Sequence, residues 1–400
     1  MSEDGPTMPS ASPPPNTVAT ELPPGPPGPG AMKRTRPKAS RLKYVAIAVI
    51  VVIVASATVY AVEVSQAPGN PCAGFTPQQL GANPQPGNVS GVSPPNYAAA
   101  TTLTNGPVKV LSAGTVIQVV AAENFWGSLV SQMGGNLTSV LSIVSDPNAD
   151  PHEYEANTSD AVAIADAQYV VLNGVGYDTW ANGLIGAGNT AGQEVLNVGV
   201  LNGVTDSGGI VTGNPHMWYN PLYVNRTLLA MYSDLVAIEP SETAVFQQNF
   251  ANLNSSTGGG AEGVSIDQLY SRANQIRAEF AGTVVASTES IFVYLANYTG
   301  LDLISPQPFM EAIAEGNDPP AQSVTLFDCQ LESGNVRVLV YNVQTVTPIT
   351  TTIEALAPGH NVTVTFVSET IQPPDTSFQD WMYGEYNQLE NALNAYNLGQ

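Results

Sequence analysis

Runs rich in valine, isoleucine and threonine recur through the last three quarters of the chain, and stretches with a helical spacing of apolar positions lie between them. The runs predict strands at 115–122, 169–174, 336–342 and 361–369. The helical spacing predicts helices at 125–134, 158–167, 222–237, 308–315, 348–357 and 378–396. Because strands and helices interleave, the pattern predicts an α/β fold with largely parallel sheets.

A long polar segment divides this pattern into two blocks. Residues 240–281 favour helix at both ends, whereas the middle, NSSTGGGAEG at 254–263, is a break. We therefore predict an N-terminal lobe at 109–237 and a C-terminal lobe at 282–400. A linker helix at 238–281 would join them, with the glycine-rich insertion looping out.

The stretch at 44–62 is apolar and carries no charge over nineteen residues. As a helix it would be about 30 Å long, which matches the hydrocarbon core of a membrane. A basic run at 33–43 precedes it, so we predict a transmembrane helix with residues 1–43 in the cytoplasm and 63–400 outside the cell. A cleaved signal peptide is the alternative interpretation.

The segments on either side of this stretch are poor in apolar residues. Residues 1–43 contain a proline-rich stretch followed by the basic run, and we therefore predict a disordered cytoplasmic tail. Residues 63–108 hold many prolines, glycines, asparagines and serines, which predicts an extended extracellular linker.

The charge of the chain is divided unevenly. The whole chain has a formal net charge of -22, yet six of its eleven basic residues lie in the run at 33–43. From residue 63 onward, 30 acidic residues face five basic ones. Such a surface repels phosphate backbones, so we exclude nucleic acid as a partner.

The chain has two cysteines, Cys72 and Cys329. In an oxidising exterior they could form one disulfide or remain two separate thiols, and the sequence does not give the distance between them.

Two of the three histidines follow a proline in similar surroundings, in Asp150-Pro151-His152 and Asn214-Pro215-His216. Proline restricts its own backbone and that of the residue before it, so each imidazole sits on a stiff loop. Imidazole is a common ligand of transition metals. A Pro-His pair alone is weak, because most loop histidines are ordinary surface residues.

The wider context of both pairs resembles the zinc and manganese ABC-transporter solute-binding proteins, of the cluster A-I type. AAENFWGSLVSQMGG at 121–135 and SDPNADPHEYEANTSDAVAIADAQYVVLNGVGYDTW, which ends at Trp180, are similar to the first lobe of that family. The resemblance implies a metal-ligand role for His152. NPHMWYNPLYV at 214–224 is similar to the second Pro-His motif of the family and implies the same role for His216.

The C-terminal block shows the same resemblance, which covers about residues 108–396. STESIFVYLANYTGL, PFMEAIAEGNDPP, VLVYNVQT and VSETIQPPDTSFQDWM follow the order and spacing of the family. It implies that Glu289, in the first of these segments, is the third ligand. The family also implies two parallel-sheet lobes joined by a long helix, with the ion in the cleft between them.

The chain departs from the manganese-binding members at one point. These members add an aspartate, which we place after the strand VLVYN, but Gln344-Thr345-Val346-Thr347-Pro348 supplies no carboxylate there. Glu289 thus indicates manganese and the absent fourth carboxylate indicates zinc, and both metals stay open. We expect affinity to fall below about pH 6 as His152 and His216 protonate.

Other residues near these motifs receive less specific interpretations. His360 matches no ligand position and is interpreted as an ordinary loop residue. The tryptophans are expected to pack in the core, namely Trp126, Trp180, Trp218 and Trp381. Side chains that could orient the ligands are Asn124, Glu153, Tyr154 and Asp178.

The sequence therefore favours a monomeric extracellular protein, anchored in the cell membrane through 44–62, that captures zinc or manganese for the permease of an ABC importer. No organic cofactor is expected. A zinc hydrolase is a rival, but the chain has no HExxH helix and no nucleophile elbow. A surface adhesin or a metal-storage protein with the same fold is the main alternative.

Overall fold

Two parallel sheets, each flanked by helices, form the fold in the computed structural model of the chain. The structure describes residues 70–82, 103–104, 108–148, 150–188, 191–204, 213–255 and 263–398. All of them belong to one unit, Asn70–Gln400.

The N-terminal sheet has five strands in the order β1-β5-β4-β2-β3. The strands are β1 (Leu103–Thr104), β2 (Ile117–Glu123), β3 (Thr138–Val144), β4 (Tyr169–Leu172) and β5 (Glu194–Asn197). All neighbours pair in parallel except β1, which runs antiparallel to β5 at the edge of the sheet. We call this sheet and its helices the N-terminal lobe.

The C-terminal sheet has four strands in the order β7-β6-β8-β9, and every pair is parallel. The strands are β6 (Val284–Ser287), β7 (Asp302–Leu303), β8 (Val338–Asn342) and β9 (Thr363–Val367). We call this sheet and its helices the C-terminal lobe.

Helices connect the strands and cover both sheets. The described α-helices, in chain order, are α1 (Asn124–Gly134), α2 (Thr158–Asp166), α3 (Thr179–Gly188), α4 (Val198–Asn202), α5 (Pro221–Ile238), α6 (Thr243–Asn254), α7 (Ile266–Phe280), α8 (Val293–Thr299), α9 (Gln307–Ala314), α10 (Ala321–Glu332), α11 (Pro348–Leu356) and α12 (Phe378–Leu398). Parallel strands need such crossovers, and the helices bury both faces of each sheet.

One hydrophobic core extends across both lobes. It joins inward residues of β2 and β4 to those of β6 and β8 through α1, α5, α7 and α12. The ring of Phe125 stacks on that of Trp218 at 4.1 Å between centroids. Trp126, Trp218 and Trp381 are buried, as their predicted packing roles require. The outer face of each sheet has a smaller core of its own.

Residues 70–82 pack on the C-terminal lobe, although the sequence predicts an extended linker throughout 63–108. Cys72 forms a disulfide with Cys329 in α10, with Cα atoms 5.5 Å apart. The carbonyl oxygen of Leu80 accepts hydrogen bonds from Ser333 and Asn335. Local backbone bonds and this covalent link order a segment that has few apolar residues to bury.

The predicted elements agree with the described ones within two residues at each boundary. The α/β fold with two parallel-sheet lobes is confirmed. Strands β1, β3, β5, β6 and β7 are not among the predicted strands, because they are short or mix polar with apolar positions. Four described α-helices, α4 to α7, follow β5 and precede β6 in the chain, so the lobe boundaries and the linker at 238–281 remain predictions.

The predicted membrane span at 44–62 and the tail at 1–43 lie outside the described residues. Within the described part, no helix has the length and apolar character that a membrane crossing requires.

Candidate metal centre

Four side chains converge where the two lobes meet: His152, His216, Glu289 and Glu369. His152 and His216 come from the N-terminal lobe, in the loops after β3 and before α5. Glu289 and Glu369 come from the C-terminal lobe, two residues after the ends of β6 and β9. In open α/β sheets, ligands bind beyond the carboxyl ends of the strands, and three of these residues lie there.

Local interactions fix both histidine loops. The Asp150 carboxylate accepts a hydrogen bond of 2.9 Å from the backbone N–H of His152, at the start of a short 3-10 helix, Pro151–Glu153. His216 precedes a second 3-10 helix, Met217–Tyr219, after which Asn220 caps α5 and Pro221 occupies its first turn. The prolines restrict both segments as the sequence predicts.

The four donor atoms lie within 4.8 Å of one another. His152 Nε2 lies 3.3 Å from Glu369 Oε2, and His216 Nε2 lies 3.3 Å from Glu289 Oε1. A third contact, of 3.8 Å, joins His216 Nε2 to Glu369 Oε2. The side chains of His216, Glu289 and Glu369 are 0% exposed, and that of His152 is 18% exposed.

Three of these donor atoms are buried and have no hydrogen-bond partner: His152 Nε2, His216 Nε2 and Glu289 Oε1. A buried polar atom without a partner costs about 1–3 kcal/mol. Three such atoms pointing at one another are therefore difficult to explain as packing. They have the composition of a transition-metal site.

A hydrogen bond sets the tautomer of His216. Asn214 donates its amide N–H to the carbonyl of Ser290 at 2.6 Å, which orients its Oδ1 toward the imidazole. His216 Nδ1 lies 2.7 Å from this oxygen and must donate to it. Nε2 therefore keeps its lone pair for a metal. In metal sites, a hydrogen bond from the other ring nitrogen of a histidine commonly fixes the tautomer in this way.

Asn342 holds one oxygen of each carboxylate, and Tyr177 holds the second oxygen of Glu369. The Asn342 amide nitrogen, at the end of β8, donates to Glu289 Oε2 and to Glu369 Oε1. The hydroxyl of Tyr177 donates to Glu369 Oε2 at 2.6 Å. Tyr177 is carried by a loop in which Gly174, Val175 and Gly176 all have positive φ. Glycine adopts this conformation without strain, whereas β-branched valine rarely does.

The sequence predicts three of the four groups, and the fourth, Glu369, is missed. The segment after VLVYN has no carboxylate, as the sequence shows, and the fourth group follows β9 instead, one strand later in the sheet. Gln344 has another role. Its Oε1 accepts hydrogen bonds from the backbone N–H groups of Glu369 and Thr370 at 2.7 and 2.9 Å, so it shapes the loop that carries Glu369.

The charges at the site perturb one another strongly. Burial acts to lower the pKa of His152, but Glu369, Glu289 and Asp150 together outweigh it and raise the pKa to about 9. The pKa of His216 falls to about 3, chiefly through burial. Burial and then the charge of Glu369 raise the pKa of Glu289. Burial opposes ionisation of Glu369, yet His152, His216 and the hydrogen bond from Tyr177 together outweigh it and lower the pKa of Glu369.

The residues proposed to orient the ligands do so only in part. Asp178 accepts hydrogen bonds from the backbone of Asn173 and Gly174 and thereby shapes the Tyr177 loop. Asn124 accepts one from the backbone of Ile371, two residues after Glu369.

The other predicted orienting residues point elsewhere. Tyr154 donates to Asp160, and Glu153 is exposed. His360 lies before β9, at the end opposite to Glu369. Its interpretation as a loop residue agrees with this place.

Comparison with known proteins identifies the family. The model of the family described as ZnuA, "Zinc-uptake complex component A periplasmic", matches residues 119–392. The manganese-binding lipoprotein MntA of Halalkalibacterium halodurans is 27% identical over 139 residues, which is 34% of this chain and 44% of that protein. The aligned regions cover 44%, 58% and 66% of the length of three curated relatives.

Solved structures share the fold. A crystal structure of ZnuA has a TM-score of 0.54 and 21% identity, over 69% of this chain and 99% of that one. The laminin-binding protein Lmb of Streptococcus agalactiae has a TM-score of 0.54 and 16% identity, with the same coverage. At sequence identities of 21% and 16%, the similarity to these structures shows a shared fold only. Because the family model spans more than half of the sequence, the chain belongs to the ZnuA family of zinc and manganese solute-binding proteins.

Proposed function

We propose that this protein captures one zinc or manganese ion between its lobes, through His152, His216, Glu289 and Glu369, and passes it to the permease of an ABC importer. The observation that carries the proposal is the set of three buried donor atoms without hydrogen-bond partners at the meeting point of the four side chains. Membership of the family supports the class of cargo.

The donor set suits a single first-row divalent cation. Each glutamate directs one oxygen at the histidines while Asn342 holds the other, so the protein offers two nitrogens and two oxygens. Four such donors suit tetrahedral zinc. Manganese prefers more oxygen ligands, which Glu289 and Glu369 could supply if both released Asn342.

Burial of the site favours capture over catalysis. A hydrolytic zinc keeps an open position for water and a cleft for its substrate. Here three of the four donor side chains are fully buried, and Tyr177 and Trp218 pack edge-on against the imidazoles. A site enclosed in this way holds an ion and gives little room to a second reactant.

Membership of a family described as a zinc-uptake component supports transport rather than storage. We propose that residues 63–400 face the outside of the cell and are held at the membrane, as the description of MntA as a lipoprotein supports. Lmb is described as both adhesin and metal transporter, so adhesion and transport are separate properties to be tested. We further propose that the protein acts as a monomer.

Metal content tests the site. The full chain is stripped with chelator, reloaded with zinc or manganese, and assayed by competition with a chromophoric chelator, beside His152→Ala, His216→Ala, Glu289→Gln and Glu369→Gln. His360→Ala and Glu153→Gln are the matched controls. We expect one equivalent in the wild type and in both controls, and a loss of at least tenfold in affinity in each site variant. Equal binding by wild type and site variants would refute the proposed ligands.

Uptake tests the delivery step. Cells that lack the gene are complemented with wild type or Glu369→Gln, and accumulation of radioactive zinc and manganese is followed. We expect the wild type alone to restore uptake of the metal that it binds more tightly. Full binding in vitro with no effect on uptake would favour adhesion or storage.

A further inference from the structure

A buried carboxyl group outside the metal centre connects two of the loops that form it. Glu385 lies in α12 and is 4% exposed. Its Oε1 accepts hydrogen bonds from the backbone N–H and the hydroxyl of Ser368, at 2.9 and 2.8 Å, and from Trp381 Nε1 at 2.9 Å. Its Oε2 is hydrogen-bonded to the Tyr219 hydroxyl.

The partners of Glu385 are close neighbours of the site residues. Ser368 directly precedes Glu369 in the C-terminal lobe, and Tyr219 follows His216 by three residues in the N-terminal lobe. The Tyr219 hydroxyl also lies 2.8 Å from the carbonyl oxygen of Ser368. One buried network therefore spans the two lobes directly behind His216 and Glu369.

Counting hydrogens indicates how the network is satisfied. The Tyr219 hydroxyl has one hydrogen but two oxygen neighbours, Ser368 O and Glu385 Oε2. Both contacts become hydrogen bonds if Glu385 Oε2 carries a proton and donates to Tyr219, which then donates to Ser368. Burial raises the pKa of Glu385 to about 7, in the direction that this arrangement needs.

We propose that Glu385 is a positioning residue that fixes the His216 loop and the Glu369 loop relative to each other across the lobes. The 3.8 Å between His216 Nε2 and Glu369 Oε2 depends on this distance between loops, because their donors come from different lobes. The inference rests on the proposed metal site. Groups that hold ligands from behind commonly change metal affinity 10- to 100-fold.

The test separates positioning from general stability. The full chain is prepared as wild type, Glu385→Gln, Glu385→Leu and Tyr219→Phe. Tyr169→Phe is the matched control, because the Tyr169 hydroxyl also donates to a buried carboxylate, that of Asp234, at 2.8 Å. Tyr169 is the first residue of β4 and lies at the end of the sheet opposite to the site. Zinc affinity, stability of the metal-free protein to urea and the visible spectrum of bound Co²⁺ are measured for each.

We expect Glu385→Leu and Tyr219→Phe to lower zinc affinity about 10- to 100-fold and to alter the Co²⁺ spectrum. Glu385→Gln, which can still donate to Tyr219 and accept from Ser368, should stay within about threefold of wild type. Tyr169→Phe should lower stability without changing affinity or spectrum. A double variant, Tyr219→Phe with Glu385→Leu, should lose less affinity than the two single losses combined.

Two results would overturn the proposal. One is Tyr219→Phe behaving like Tyr169→Phe, with lower stability and unchanged affinity and spectrum. The other is a Glu385→Leu protein that still folds and binds zinc as tightly as wild type. Failure of the metal site itself is distinguishable, because the wild type and Tyr169→Phe would then also bind no zinc.

Discussion

His152 Nε2 lies 3.3 Å from Glu369 Oε2, so an imidazole of the N-terminal lobe faces a carboxylate of the C-terminal lobe. This carboxylate, together with those of Glu289 and Asp150, raises the pKa of His152 to about 9, although burial alone would lower it. His216, which is buried more completely, has a pKa near 3. The two histidines therefore differ in charge at neutral pH, despite their similar sequence surroundings.

Metal binding is expected to release about one proton from His152 at pH 7, because the ligand must be neutral. Affinity should then rise at least about tenfold per pH unit between pH 6.5 and 7.5. Glu289 adds to the proton release, since burial and the charge of Glu369 raise its pKa. Calorimetry in buffers of different ionisation enthalpy measures the proton count. Affinity that is flat over this range would contradict the prediction.

This pH dependence differs from the one expected from sequence. Simultaneous protonation of His152 and His216 below about pH 6 does not fit pKa values near 9 and 3. NMR titration of the His152 ring in the metal-free protein checks the cause directly. Glu369→Gln should lower the pKa of His152, because burial then acts without the opposing charge, while His360→Ala should leave it unchanged.

Asn342 is expected to be essential to the spacing of the carboxylates. Its amide nitrogen donates to both Glu289 and Glu369, so Asn342→Leu leaves two buried carboxylates without their shared donor. We expect a 10- to 100-fold loss of metal affinity by chelator competition. Asn249→Leu is the control, because Asn249 donates to the carbonyl of Met133 on α1. Equal losses in the two variants would show that the effect is on folding.

The disulfide is expected to stabilise the fold without affecting the site. Replacing Cys72 and Cys329 together by serine should lower the free energy of unfolding by about 2–4 kcal/mol, as judged by urea denaturation. A Cβ added to Gly81 would lie 3.0 Å from Val284 Cγ1, and Val284 is the first residue of β6, so this segment lies at the end of the sheet opposite to Glu289. Metal affinity should therefore be unchanged, and a loss of affinity with unaltered stability would contradict this assignment.

Asp234 should make the metal-free protein less stable as the pH rises. Burial raises the pKa of Asp234 to about 8 from an ordinary value of 3.8. The folded state therefore binds a proton that the unfolded chain has lost, and stability falls between these values by up to about 1.4 kcal/mol per pH unit. Asp234→Asn should remove this contribution in urea titrations at pH 5 and 8. Exposed Asp267→Asn is the control, and identical slopes in all three proteins would refute the prediction.

The sequence predicts the lobes and three of the four site residues because these depend on local pattern. Alternation of apolar runs and helical spacing predicts strands such as β2 and β8, and the Pro-His pairs single out His152 and His216. Glu369 lacks such a signal. It follows a strand, as other glutamates do, so its position in the sequence does not single it out. Its role depends on the strand order β6-β8-β9 and on the approach of the two lobes, which both arise from long-range contacts.

The same limit applies to Cys72 and Cys329. The two cysteines are 257 positions apart in sequence. They pair because residues 70–82 pack on the C-terminal lobe before the chain enters the N-terminal sheet. The glycines, prolines and polar residues of this segment indicate a linker. The disulfide to Cys329 and the hydrogen bonds from Ser333 and Asn335, which no local pattern encodes, hold it on the C-terminal lobe.

The disulfide also determines how the folded chain would bear mechanical load. Tension applied to the chain before Cys72 passes through the covalent bond into α10 of the C-terminal lobe. It does not reach the short antiparallel pairing of β1 with β5, where two residue pairs would resist it. A load applied between Cys72 and the C-terminal helix α12 would thus have a path through the C-terminal lobe that bypasses the loops of His152 and His216.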